Sequence, residues 1–315
     1  MEGTIDHARW RTGRYRHIVF ADAIDGADRA LDLAPVETIE DHESIDINDG
    51  AFLHWLFRQN GLDVWQYRAQ ALGRRLPACL RKLRVTNISQ AKAALERHPQ
   101  LLEAAMSTML IGVTSFFRDE AVFAELARIV LPELLRRKRP LRIWSVGCSD
   151  GQELYSVAML LAELGSCEGI ELLGTDCRIE ATRAAARGIY GESAIRAVSP
   201  QRLATHFDYD GAWQGVWDES NSTGRAHQWR IKAPLRAMAR WRTADLLTTI
   251  EPGPWDLILC RNAAMYLRCN AAAGLWAQLA GAMGRGGYLV LGKAERPAGA
   301  SGLSSLGQYI YRRSG

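Results

Sequence analysis

The run LRIWSV at Leu141–Val146 passes straight into a glycine-bounded turn, Gly147-Cys148-Ser149-Asp150-Gly151, and then into a helical repeat over 153–164. A short apolar run bounded by turn residues reads as a strand buried on both faces. When a tight turn and an amphipathic helix follow it, the three together form the opening unit of a parallel sheet. The same grammar continues downstream. A strand is expected over 170–175, a helix over 179–187, a second buried strand (DLILC) over 256–260 and a helix over 270–283. Gly286-Gly287 then turns the chain into closing strands over 288–291 and 309–312. Strands alternating with helices in this way predict an α/β domain over 141–315, with a mostly parallel sheet covered on both faces.

The first half obeys a different period. Phe52, Leu53, Leu56 and Phe57 repeat at helix spacing, as do Ala94, Leu95, Leu101, Leu102 and Ala105. Residues 49–110 therefore read as a small all-α N-terminal domain, and 111–140 as a linker and helix carrying Phe116-Phe117-Arg118. Residues 1–48 lack sustained periodicity and read as an acidic, loosely ordered arm with one short helix near 21–31. Between about 191 and 240, Trp213, Trp217, Trp229 and Ile231 flank the turn-rich DESNSTGR, which predicts a small antiparallel β-hairpin inserted into the α/β domain.

Charge is uneven along the chain. Residues 22–49 carry ten acids against the single base Arg29, whereas 64–95 carry seven bases and no acid. Within the basic stretch, Arg68, Arg75 and Lys82 are spaced by seven, on a helix face opposite Leu72, Leu76 and Leu83. Gly73 and Pro77 interrupt it, so two short helices or one kinked helix are expected. No apolar run is long enough for a membrane span, and the N-terminus is too polar for a signal peptide. The six cysteines form no C-x-x-C pair and have no histidines at zinc spacing, so reduced thiols, no metal and a cytoplasmic location are expected.

The chemistry lies at the strand ends. Asp176 follows Gly151 by 25 residues, near the offset at which a carboxylate meets ribose hydroxyls in doubly wound folds. The turn lacks the third glycine of G-x-G-x-x-G, and Glu153 follows it at once. A wider turn followed by a carboxylate suits a nucleoside ligand with no pyrophosphate and a cationic amine, and S-adenosylmethionine is such a ligand.

Four stretches carry a family resemblance. They are Val113-Thr114-Ser115-Phe116-Phe117-Arg118-Asp119, Gly151-Gln152-Glu153-Leu154-Tyr155-Ser156, DLILCRNAAMYL at 256–267 and Gly286-Gly287-Tyr288-Leu289-Val290-Leu291-Gly292. In order and approximate spacing they resemble the T-x-FFR, GEEPYS, RNVMIYF and final glycine-turn motifs of the chemotaxis-receptor methyltransferases, over roughly 50–313. The resemblance implies a Rossmann-like S-adenosylmethionine-dependent domain that esterifies protein glutamate side chains and releases S-adenosylhomocysteine. It implies that Arg118 pairs with the methionyl carboxylate, Glu153 faces the ammonium and Asp176 meets the ribose hydroxyls. It places Asp245 and the Leu246 backbone at the adenine edge, with Thr114 and Gly147 also at the cofactor. Asn262 and Tyr266 would line the opening to the acceptor, and Arg118 and Tyr266 are the candidate catalytic residues. The implied partner is an acidic chemoreceptor-like helical region, docked partly by Arg68, Arg75 and Lys82, with no nucleic acid and no membrane insertion.

The chain departs from the family pattern at Gln152 and Leu154, at Asp245 in place of Asn, and at Gly292-Lys293-Ala294-Glu295 in place of G-H-S-E. Three other readings remain beside this one. A nucleic-acid methyltransferase is disfavoured because the chain has no Pro-Pro or Pro-Cys dipeptide. A small-molecule O-methyltransferase and a non-catalytic module that holds the cofactor or a partner are the other two.

Overall fold

The computed structural model describes residues 47–315 apart from 111, 113, 138–139, 167, 211–227 and 315. The acidic arm up to residue 46, its short helix, Trp213, Trp217 and the DESNSTGR turn lie outside the described residues.

The first half is helical. Its elements are α1 (Ile47–Gln59), α2 (Ala69–Gly73), α3 (Leu76–Lys82), α4 (Ile88–Arg97) and α5 (Leu102–Met109). The basic stretch is thus two short helices. Gly73 ends α2, and Pro77 sits in the first turn of α3, where its missing N–H is not needed. Asn87 caps α4 by accepting the Gln90 N–H at 2.9 Å. Leu72, Leu76 and Leu83 are buried as expected, but Arg68 stands before α2 in extended backbone and Arg75 stands before α3, so Arg68, Arg75 and Lys82 do not lie on one continuous helix. Next, α6 (Glu120–Glu125) runs through a π-helical turn, Leu126–Val130, into α7 (Leu131–Leu135).

The α/β region follows with β1 (Leu141–Val146), α8 (Gln152–Glu163), β2 (Ile170–Asp176) and α9 (Ile179–Arg187). An inserted segment holds β3 (Ile189–Gly191), α10 (Glu192–Ile195), α11 (Pro200–His206), β4 (Phe207–Asp210), β5 (Gln228–Ile231) and α12 (Ala233–Met238). The chain returns through β6 (Ala239–Thr243), β7 (Trp255–Cys260), α13 (Cys269–Ala282), β8 (Met283–Leu291), β9 (Leu303–Ser305) and β10 (Ile310–Arg313).

Seven strands form the main sheet in the order β6-β2-β1-β7-β8-β10-β9. The pairs β6/β2, β2/β1, β1/β7 and β7/β8 are parallel, and β10 runs antiparallel between β8 and β9. Strand order reverses between β1 and β7, and in such sheets ligands bind outside the carboxyl ends at that point. The period-2 rule sorts β1 between two cores: Trp144 and Val146 point to one face, Leu141 and Ile143 to the other. On the first face the helices α1–α5 and α13 share one continuous core with the sheet, from Phe52 through Trp144 to Trp276. Residues 49–110, expected as a small helical domain, therefore bury their apolar faces against the sheet itself. On the other face lie α6–α8, α12 and the inserted segment.

The insert is larger than a hairpin. Its sheet has three antiparallel strands in the order β3-β5-β4, and the Tyr209 ring packs tilted against Trp229 with centroids 4.9 Å apart. It ends at Met238, because Ala239–Thr243 pairs with β2 as the edge strand of the main sheet.

Residues 66–68 are stitched to residues 266–268. Tyr67 and Leu267 form an antiparallel bridge, the Arg68 N–H donates to the Tyr266 carbonyl at 2.9 Å, and the Arg268 N–H donates to the Gln66 carbonyl at 2.9 Å. The Arg68 Nε–H adds a bond to the Leu267 carbonyl at 2.9 Å.

Candidate cofactor site

Two adjoining cavities open where β1, β2, β6 and β7 end. The larger is about 590 Å³ and the smaller about 410 Å³, and they share Gly112, Gly147, Ser149 and Asn262. Tyr67, Leu110, Leu246, Ala263, Tyr266 and Leu267 give the larger one apolar walls, with Asp176 and Arg178 on one side. Thr114, Arg118, Glu153 and Arg261 make the smaller one polar. A flat nucleoside and a zwitterionic amino-acid tail would divide between them in that way. Gly147 has φ +69°, and a Cβ there would stand 3.0 Å from the Ala263 Cβ, so the turn stays bare where a ligand must pass.

The backbone is held out of its usual conformations around this crevice. Among the described residues, five non-glycine positions have positive φ, and four of them are Phe117, Asp119, Ser149 and Asn262. Such positions cost on the order of 1–3 kcal/mol each and persist only where surroundings enforce them. Here the surroundings are visible. The Phe117 N–H donates to Ser156 Oγ at 3.0 Å, and the Arg202 guanidinium lies 4.1 Å over the Phe117 ring. Phe116 packs edge-on against Tyr190 and Phe207 at 4.9 and 5.5 Å, which anchors the FFR turn to the inserted segment.

Below the smaller cavity runs a chain of charges. Arg261 is buried, with Nη1 3.0 Å from Glu153 Oε2 and Nη2 2.8 Å from Asp119 Oδ2. Its Nη2 also donates to the Arg118 carbonyl at 2.7 Å. Glu153 Oε1 accepts the Ser145 hydroxyl at 2.8 Å, and Lys293 Nζ reaches Asp119 Oδ1 at 2.8 Å. Burial alone would lift the Asp119 carboxyl, but the Lys293 hydrogen bond and the Arg261 charge outweigh it and hold the group below the ordinary carboxylate range. Glu153, in the first turn of α8, is thus fixed from beneath while it lines the cavity.

A second buried carboxylate shapes the acceptor side. Glu295 accepts backbone N–H bonds from Asn262 and Gly292 at 2.8 Å, from Ala264 at 2.9 Å and from Met265 at 3.2 Å. Gly292 must be glycine, because a Cβ would lie 2.7 Å from Glu295 Oε2 and 2.8 Å from the Asn262 nitrogen. Burial pushes the Glu295 carboxyl above its usual range despite those donors. The clamp leaves Asn262 Oδ1 buried without a hydrogen-bond partner among the described residues, at the junction of the two cavities. A buried acceptor left open in this way suits a ligand that brings a donor.

Of the residues expected from sequence, Thr114, Arg118, Gly147, Glu153, Asp176, Leu246, Asn262 and Tyr266 all line one cavity or the other. Asp245 lines neither. Its carboxylate turns back to accept the Leu247 N–H at 3.1 Å and the Thr248 hydroxyl at 3.4 Å, beside Asp63 in a separate cavity of about 610 Å³. Burial, with the Asp63 charge adding, raises its pKa. Ala244 and Leu246 on either side of it do face the larger cavity. Sequence reasoning assigned no role to Tyr67, Asp119, Ser149, Arg178, Arg261 and Glu295. The available signal was an arginine directly after the apolar Leu257–Cys260, where solvent is scarce.

Residues 112–305 match the family model of the CheR methyltransferase S-adenosylmethionine-binding domain. The chain belongs to the CheR methyltransferase family. A chemotaxis protein methyltransferase of Listeria monocytogenes is 29% identical over 257 residues, covering 81% of this chain and 92% of that one. One of Vibrio anguillarum is 30% identical over 271 residues, covering 83% and 92%. Chemotaxis protein methyltransferase 1 of Pseudomonas aeruginosa is 33% identical over 205 residues, covering 62% and 70%. The cofactor of this CheR-family chain is S-adenosylmethionine, and the two-chamber crevice has the polarity that its two ends require. Among the described residues no helix is long and apolar enough to cross a membrane.

Proposed function

We propose that this CheR-family protein transfers the methyl group of S-adenosylmethionine to glutamate side chains of a chemoreceptor-like signalling protein, giving glutamyl methyl esters and S-adenosylhomocysteine. The observation that carries the reading is the paired crevice, acidic and basic at one end and apolar at the other, opening between Arg118, Asn262 and Tyr266.

When bound, the cofactor supplies an electrophilic methyl on a positively charged sulfur. A glutamate, with a pKa near roughly 4.3, is already an anionic nucleophile at neutral pH, so no general base is needed. One carboxylate oxygen forms the new bond to carbon, the sulfur keeps the electron pair of the bond that breaks, and no proton moves. The protein's work is alignment and exclusion of water, and orientation of this kind can supply on the order of 7–11 kcal/mol.

In this reading Glu153, fixed by Arg261 and Ser145, receives the methionyl ammonium, and Arg118 offers its planar guanidinium to the methionyl carboxylate. Asp176 receives the ribose diol. The Leu246 backbone lies at the adenine edge, which Asp245 reaches only by giving up the bonds within its own turn. Tyr266 O–H steers the acceptor carboxylate, and Asn262 lines the passage. The acidic acceptor docks on the basic face of α2 and α3 through Arg75 and Lys82, with Arg68 already committed to the Leu267 carbonyl. Such an acceptor places the reaction in the cytoplasm.

Calorimetric titration with S-adenosylhomocysteine tests the cofactor roles. Wild type binds, and Arg118→Ala and Asp176→Asn lose most of that affinity. Tritiated methyl transfer to receptor fragments, scored as base-labile label, then tests the acceptor. Binding without transfer to any glutamate-bearing fragment removes the enzymatic reading and leaves a cofactor-holding module.

A further inference from the structure

Arg178 occupies the polar side of the larger cavity. Its Nε lies 3.0 Å from Asp176 Oδ1, and its Nη2 lies 3.2 Å from Asp176 Oδ2 and 3.0 Å from Ser149 Oγ. The side chain is only 12% exposed. The neighbourhood is built around it. A Cβ at Gly112 would overlap the guanidinium, and the Gly112 carbonyl accepts the Ser149 hydroxyl at 2.8 Å, turning that oxygen's lone pairs toward Arg178.

With the N–H groups of Ser149 at 2.9 Å and Arg178 at 3.0 Å added, Asp176 accepts four hydrogen bonds. A carboxylate has about four lone-pair sites, so Asp176 is saturated. A ribose diol can be received there only if the two guanidinium bonds are given up. The two backbone bonds can stay, and they hold the carboxylate in place.

A second space adjoins the guanidinium. A cavity of about 440 Å³ shares Leu110, Cys177 and Arg178 with the larger one, and Glu103 and Glu180 stand in its wall. Glu180 Oε2 accepts the Ser107 hydroxyl at 3.2 Å, which ties it to α5. Because Arg178 borders both spaces, rotation about its side-chain torsions alone moves the charge from one carboxylate environment to another.

We infer that Arg178 is an affinity-setting residue of the cofactor site: it competes with the ribose diol for Asp176 and is received, when displaced, by Glu103 and Glu180. The inference rests on the cofactor roles proposed above. Its consequence is that the protein gives up a charge-assisted pair each time it takes cofactor or product, which weakens both and speeds release of S-adenosylhomocysteine. Removing the arginine leaves Asp176 held by its two backbone donors and open to the ribose.

The test is calorimetry of S-adenosylhomocysteine binding to the full chain as wild type, Arg178→Met, the double variant Glu103→Gln/Glu180→Gln and the triple combination, each first shown to unfold cooperatively. Arg178→Met binds about tenfold more tightly than wild type, as expected when one competing charge-assisted contact is removed. Glu103→Gln/Glu180→Gln binds several-fold more weakly where Arg178 is present and makes no difference where it is absent. Unchanged or weaker binding by Arg178→Met, with wild type binding normally, overturns the inference alone. Absence of binding by wild type and every variant overturns the cofactor roles and this inference together.

Discussion

Arg261 Nη1 stands 3.0 Å from Glu153 Oε2, joining the strand end after β7 to the first turn of α8 through a pair whose arginine side chain is 1% exposed. Three carboxylate and carbonyl acceptors converge on that guanidinium, from Glu153, Asp119 and Arg118. Arg261→Met leaves Glu153 buried with no cation against it, its remaining partner the Ser145 hydroxyl, while Asp119 keeps Lys293. The expected loss is about 3–5 kcal/mol in urea unfolding, the usual cost of stripping one partner from a buried pair. A loss below about 1 kcal/mol would show that water replaces the guanidinium.

Glu295 touches neither cavity's contents in the proposed reaction, yet it fixes the backbone that carries Asn262 and precedes Tyr266. Glu295→Gln keeps the shape but turns an amide NH₂ toward backbone N–H donors, so the loop shifts. Misplacement by about 1 Å can cost roughly 100-fold in rate. Turnover number should fall by about that factor while S-adenosylhomocysteine affinity changes far less. Equal losses in both would mean the clamp serves the cofactor and not the acceptor.

Tyr266→Phe removes one hydroxyl and keeps the ring that walls the larger cavity. Steady-state kinetics should show a lower turnover number, by about 10- to 100-fold if the hydroxyl steers the acceptor through one hydrogen bond to its charge, with S-adenosylhomocysteine binding unchanged. Wild-type turnover in this variant would return Tyr266 to a packing role.

Glu133 ties α7 to the closing strands. It accepts the Tyr288 hydroxyl at 2.5 Å and lies 2.7 Å from Arg312 and 3.2 Å from Arg137. The Tyr288 hydrogen bond, with the two guanidinium groups, holds its carboxyl below the ordinary range. A depressed folded-state pKa means the contribution is complete above the unfolded value and is lost as pH falls through the folded one. Glu133→Gln should therefore cost about 1–2 kcal/mol at neutral pH. Urea midpoints of variant and wild type should converge on acidification below the usual carboxylate range.

The central strands were plain in the sequence because burial on both faces demands mostly apolar runs, and LRIWSV and DLILC supply them with only Arg142, Ser145 and Asp256 as polar members. The edge strand β6 was not, because ARWRT exposes Arg240 and Arg242 and buries little beyond the Trp241 ring, which packs 5.2 Å from Tyr155. It looked like part of the insert. Glu153 and Asp176 could be placed because each follows its strand at a short, recognisable offset. Arg261 and Glu295 could not, since their partners are brought to them by the closed sheet and not by neighbouring residues. Asp245 illustrates the converse: its position beside Leu246 was legible, but the direction of its carboxylate is set by the turn through Leu247 and Thr248.

Tyr67 is part of the wall of the larger cavity, and it is sewn to Leu267 from 200 positions away in the chain. The catalytic vessel is therefore not contained in the stretch that matches the family model, which begins at residue 112. A fragment trimmed to that stretch would be a cup with one side missing. Anyone cutting a minimal enzyme from this chain has to keep the helices that bring Tyr67 to the rim.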